Sequence, residues 1–89
     1  MTMKFTALLV RREERFAIGV EEQTGKYYLS IPVANRLVDY EEYYEISQNE
    51  FDKFCANIAT ATEFVHRCRN RELDERLFMK PGSDRGVAT

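Results

Sequence analysis

The spacing of apolar residues changes once along this chain, at Ser47. Before it, apolar and polar residues alternate with the period of two that a β-strand needs. After it, apolar residues recur at the three- and four-residue spacing of a helix. Ser47-Gln48-Asn49-Glu50 marks the join. It is a capping box: the serine hydroxyl accepts from the Glu50 amide, and the Glu50 carboxylate reaches back to the Ser47 amide. A sheet from the first half and a helix from the second make an α+β chain of order ββββα, with a short further helical piece at the end.

Four strands are predicted. Residues 4–10 form the first, with Phe5, Ala7 and Leu9 on one face and Thr6, Leu8 and Val10 on the other. The charged run Arg11 to Arg15 is a turn. Residues 15–22 form the second, with Phe16, Ile18 and Val20 on one face and the small Ala17 and Gly19 behind. Gln23-Thr24-Gly25-Lys26 is a hairpin turn, because Gly25 takes positive φ without steric cost. In the third strand, residues 27–34, Tyr27, Leu29, Ile31 and Val33 face the core while Tyr28, Ser30 and Pro32 face out. Pro32 has no amide to give a neighbouring strand. After a loop at Ala34 to Leu37, residues 38–46 form the fourth, where Tyr40, Glu42, Tyr44 and Ile46 alternate with Asp39, Glu41, Tyr43 and Glu45. Sequential hairpins make this a four-stranded antiparallel meander.

One long amphipathic helix follows, packed on one sheet face. Phe51, Phe54, Cys55, Ile58, Thr62 and Val65 form its stripe. Carried further, the stripe reaches Arg69, so the helix ends or bends near Asn70, or Arg69 passes the sheet edge. Arg71 to Met79 is a second short piece carrying Leu73 and Leu77, stopped by Pro81-Gly82. Residues 1–82 make a single domain and residues 83–89 a mobile tail.

With 89 residues the chain has room for one thin core. Cys55 and Cys68 fall on the same helix, roughly 20 Å apart along its axis. That is too far for a disulfide, so both thiols are reduced and the setting is cytoplasmic. The apolar run Phe5 to Val10 is cut off by charges at Arg11, too soon for a signal or a membrane span.

No catalytic constellation is present, and the reading is of a protein that is not an enzyme. His66 is the only histidine, and His66 and Cys68 lie on opposite sides of a helix, so they cannot share a metal. No cofactor loop exists, because the four glycines are scattered. Charge is the informative feature. Seven acidic residues and one basic residue, Lys53, lie between Asp39 and Glu63, whereas Arg67, Arg69 and Arg71 begin a more basic end. Asp39, Glu41, Tyr43 and Glu45 share one strand face and form a candidate docking surface for a basic protein partner. The apolar first strand lies at a sheet edge, so Thr6, Leu8 and Val10 form a candidate dimer edge. A fold-back of Leu73, Leu77 and Phe78 over that strand would serve equally to cover it. The arginines could grip a phosphate backbone, although a net charge of −2 argues against nucleic acid.

The run Gly25-Lys26-Tyr27-Tyr28-Leu29-Ser30-Ile31-Pro32-Val33, continued by Val38-Asp39-Tyr40-Glu41-Glu42-Tyr43-Tyr44, resembles small uncharacterised bacterial proteins. Some such sheet-plus-helix proteins are immunity partners of toxins. The resemblance implies protein binding and carries no functional residue with it. The element order is also similar to that of HicB-type antitoxins, whose Gly-rich turn before the helix this chain lacks. The expected function is that of a small intracellular protein-binding partner or inhibitor, of the immunity kind. The alternatives are a homodimeric structural or ligand-binding module paired through the first strand, and a nucleic-acid-associated regulator using the arginines.

Overall fold

A computed structural model describes residues 3–34, 39–79 and 87–88. Strands β1 (Phe5–Arg11), β2 (Phe16–Glu21), β3 (Lys26–Ala34) and β4 (Asp39–Ile46) form an antiparallel sheet in the order β1-β2-β3-β4. Helices α1 (Gln48–Ala56) and α2 (Ile58–Arg69) follow, then a short 3₁₀ turn at Asp74–Arg76. A last strand, β5 (Val87–Ala88), pairs with Val33 and Ala34. Because β4 occupies one side of β3 along its length, β5 lies on the other side, beyond the point where β2 ends. So two residues of the expected tail are strand. The rest of that tail, the Pro81-Gly82 stop and most of the loop at Ala34 to Leu37 lie outside the described residues.

The capping box forms as the sequence dictates: Glu50 N donates to Ser47 Oγ at 3.1 Å and Ser47 N to Glu50 Oε1 at 2.8 Å. The single long helix does not form. Asn57 is extended, with φ −144° and ψ 102°, and ends α1 while its side chain accepts from Ala59 N at 3.1 Å to start α2. Asparagine competes for nearby backbone groups in this way, which makes it a good cap and a poor helix interior. The break resets the helical phase. Ala61, Phe64, Val65 and Cys68 are buried on α2, whereas Ile58 and Thr62 are half-buried and Cys55 on α1 is exposed.

The core gathers Phe16 and Ile18 of β2, Leu29, Ile31 and Val33 of β3, Tyr44 and Ile46 of β4, Phe54 of α1, the buried set of α2 and Leu73. Phe51 and Ile58 pack against it, half-buried. Arg69 ends α2, and its Nη2 donates to the Glu14 carbonyl at 3.2 Å, tying the helix end to the β1–β2 turn. Its Nε is buried without a partner among the described residues. Beyond Asn70 the chain reverses through Arg71, at φ 59°, with Arg71 N donating to Cys68 O and Glu72 N to Arg67 O. This is the Schellman pattern, with arginine where glycine is usual.

The opposite sheet face is also substantially covered. Register breaks between Ala7 and Leu9, where β1 advances two residues against one step of β2. A bulge of this kind changes which side chains share a face. Phe5 and Ala7 therefore pair with Glu21 and Gly19 on the face away from the core, while Leu9 pairs with Ile18 and packs on the core. The expected alternation of Phe5, Ala7 and Leu9 on one face fails at Leu8. Tyr28 and Ser30, expected to face water, are 2% and 0% exposed. The cover over Tyr28 is aromatic: the Phe5 ring stacks on that of Tyr43 and meets Tyr28 and Phe78 edge-on, at 5.2 and 5.3 Å.

Candidate docking surface

The candidate acidic strip lies on this second face. The Glu41 side chain is exposed, and Tyr43 is half-buried in the aromatic cluster. Tyr43 OH donates to Glu41 Oε2 at 3.3 Å, and Ser30 Oγ reaches Glu41 Oε1 at 3.5 Å. Burial raises the phenol of Tyr43, and Glu41 beside it adds to the effect. Burial likewise pushes Tyr28 up to about 12, with smaller contributions from Tyr43 and Glu41. Neither phenol ionises at neutral pH. These tyrosines therefore act as apolar bodies and hydrogen-bond donors, not as acids.

The carboxylates of the strip are partly engaged. Glu45 pairs with Lys26 at 3.4 Å across exposed side chains, a contact worth roughly 0–1 kcal/mol. Arg76 donates to the Glu45 carbonyl at 3.3 Å and to Glu50 Oε1 at 2.8 Å, with its guanidinium 5.3 Å from the Phe64 ring centroid. Burial works against ionisation of Glu50, but Arg76 and Ser47 outweigh it and hold its carboxyl below the usual range. Asp39 lies at the start of β4, opposite Ala34, and its side chain is outside the described residues.

Next to the strip is a shallow cleft of about 420 Å³, lined by Val10, Arg11, Arg12, Arg15, Phe16, Ala17, Pro32 and Glu41. Its floor runs across the sheet: Val10 on β1 pairs with Ala17 on β2, and Pro32 on β3 pairs with Glu41 on β4. The β1–β2 turn raises Arg12 and Arg15 at the other side. Both are exposed, and Arg15 sits at φ 60° in the left-handed region. Arg11 is occupied by Glu14, at 2.8 Å. The cleft thus has a short apolar floor between a carboxylate and two arginines. The sequence pattern marked Glu41 and Val10 but not their shared cleft, because the bulge at Leu8 sets the facing of Val10.

Of the candidate dimer edge, Leu8 and Val10 are 59% and 57% exposed, while Thr6 is half-buried with its hydroxyl on the Glu22 carboxylate. Leu77 and Phe78 leave the outer edge of β1 bare, and Phe78 touches that strand only through the Phe5 ring. They lie along the outer edge of β4, where Leu77 bridges Tyr44 and Phe78 N donates to Tyr43 O at 2.9 Å. The basic end is partly engaged: Arg67, exposed, lies 3.7 Å from Glu72, Arg69 holds the β1–β2 turn, and Arg71, also exposed, makes the reversal after α2. Cys55 is exposed and Cys68 buried, both free. Among the described residues no three His, Cys, Asp or Glu side chains group as metal ligands, and no helix is long and apolar enough to cross a membrane.

Comparison with protein families, with curated proteins and with solved structures finds no match.

Proposed function

We propose that the chain is a small protein-binding module, a partner or inhibitor of another protein, that docks through the sheet face opposite its core. The observation that carries this reading is the cleft, where a Val10–Ala17–Pro32 floor separates Glu41 from Arg12 and Arg15. The fitting partner is a protein segment with a basic side chain for Glu41, an apolar one for the floor and an acidic one for the arginines. The apolar contact supplies affinity, while rim charges fix register and speed encounter. Glu41 on β4 gives a basic side chain of the partner its mate, which is the contact an inhibitor or immunity-type protein would use. The test is a photo-crosslinking residue at position 10, with a control at His66, in the native cell. One defined heterologous adduct at position 10, weakened by Glu41→Gln and by Arg12→Ala, supports the docking face. The same adducts at both positions, unaffected by either substitution, would reduce it to solvated surface.

A further inference from the structure

We infer that β1 pairs with β1 of a second copy of this chain, antiparallel, about a twofold axis at Thr6. The sheet has three openings, and the chain closes two of them itself. Leu77 and Phe78 lie on the outer edge of β4, and Val87–Ala88 fill the step beside β3 that β2 leaves. The outer edge of β1 has no partner among the described residues. No charged residue occurs from Phe5 to Val10. Met3, Leu8 and Val10, three of the four large hydrophobics exposed among the described residues, lie on β1 or beside it. Such an edge is a template for another strand.

Backbone phase says which groups are available. The Lys4 carbonyl accepts from Glu22 N at 2.8 Å, so it points at β2. Backbone groups of successive residues alternate sides, so those of Phe5 and Ala7 point outward. An axis at Thr6 sets Phe5 of one copy against Ala7 of the other, twice, and satisfies the outward amides and carbonyls of both residues. Exposed Ala7 then borders the Phe5 ring of its neighbour. Lys4 falls opposite Leu8 of the second copy, where its aliphatic stem covers the leucine and its ammonium reaches water. Charge excludes the next register with the same backbone phase. An axis at Leu8 would set Lys4 against Arg12 of the second copy, and like charges directly opposite destabilise a strand pair. The bulge after Ala7 ends the ladder at Leu8, so the pairing is short. A second copy is favoured over a foreign strand because the segment is complementary to itself, as a twofold contact requires.

The edge and the docking face share only Val10, which lies beyond the paired segment, and a monomer in solution would leave the docking proposal standing. Sedimentation equilibrium of the wild-type chain from micromolar to millimolar should show the mass rising toward two chains, and Leu8→Lys should remain a monomer at the same concentrations. In a Cys55→Ala background, Thr6→Cys should form an intermolecular disulfide under mild oxidation, because the two positions meet at the axis. Leu8→Cys should not, because those positions lie four residues of strand apart. A wild-type chain that stays a monomer throughout, or a dimer that crosslinks at Leu8→Cys and not at Thr6→Cys, would overturn the inference.

Discussion

The ring of Phe5 lies on that of Tyr43 with centroids 3.8 Å apart and planes 14° apart, although the two residues sit on the outermost strands of the meander, β1 and β4. The contact crosses β2 and β3, and Gly19 on β2 lies beneath part of the span. It gives the second sheet face a small apolar cluster of its own. Phe5→Ala should cost roughly 1–3 kcal/mol, below the 3–5 of a fully buried phenylalanine because Phe5 is half-buried. A double-mutant cycle with Tyr43→Ala should give a coupling of about 0.5–1.5 kcal/mol. Additive losses in urea melts would show that the rings touch without supporting each other.

Gly19 and Gly25 should respond differently to alanine. A Cβ on Gly19 would collide with the Thr6 carbonyl oxygen and lie 2.8 Å from the Tyr28 hydroxyl, so β1 must move. Overpacking of this kind costs about 1–3 kcal/mol, and here it would also loosen the aromatic cluster. At Gly25 nothing lies within 4 Å of the added carbon, and the cost comes from φ 74° alone. Gly25→Ala should lose about 1 kcal/mol with unchanged tyrosine fluorescence.

Glu21 sets an acid limit on stability. It is fully buried at the end of β2. The Lys4 amide contributes most to holding its carboxyl down at about 2, followed by the Thr24 hydroxyl and the amides of Gln23 and Thr24, all against the opposing effect of burial. In the unfolded chain the group titrates near 4.5. The folded state therefore favours the ionised form, and its contribution is complete above pH 4.5 and lost as pH falls toward 2. Glu21→Gln should be less stable at neutral pH, since an amide NH₂ would face backbone donors. The gap from wild type should narrow over that same interval. A constant gap in pH-resolved denaturation would remove Glu21 from the acid response.

The helix break reorders the expected core losses. Phe64→Ala should destabilise by about 3–5 kcal/mol, as for a buried aromatic, and Ile58→Ala by less than the 2–5 of a buried aliphatic. A larger loss at Ile58 would mean that α2 keeps the phase of α1 in solution.

The two thiols should separate in a disulfide-exchange assay. Burial pushes Cys68 up to about 12, and its side chain lies inside the core, so it should react only on unfolding. Cys55 is exposed and should react in the native state, slowed because partial burial and then Asp52 raise its thiol. Equal native rates would contradict the buried placement of Cys68.

What could be read from the sequence follows the range of the interaction. The capping box at Ser47 and the turn at Gly25 depend on residues within three positions, and both were readable. Tyr27, Leu29, Ile31 and Val33 alternate cleanly, and β3 follows them. β1 offers no such guide: Phe5 to Val10 is apolar on both faces, so nothing in the pattern signals a slip at Leu8. That slip is what placed Phe5 over Tyr28 and Tyr43 and turned Val10 toward the cleft beside Glu41. Asn57 did carry a signal, since asparagine caps helices, but the apolar stripe ran through it without interruption. Glu21 looked like an ordinary strand end, because its partners are backbone amides that no side-chain pattern reveals.

The seal on β4 has a consequence for how the molecule is made. Phe78 gives its amide to Tyr43 and its ring to Phe5, so one residue near the end of the described chain joins the first strand to the fourth. A nascent chain that has emerged only through α2 has every core residue but Leu73, an open edge on β4 and an incomplete ring cluster. Contacts of such long sequence separation form late and slowly. During synthesis the vulnerable interval is thus the passage from Arg69 to Phe78, when two strand edges and an aromatic face are bare together.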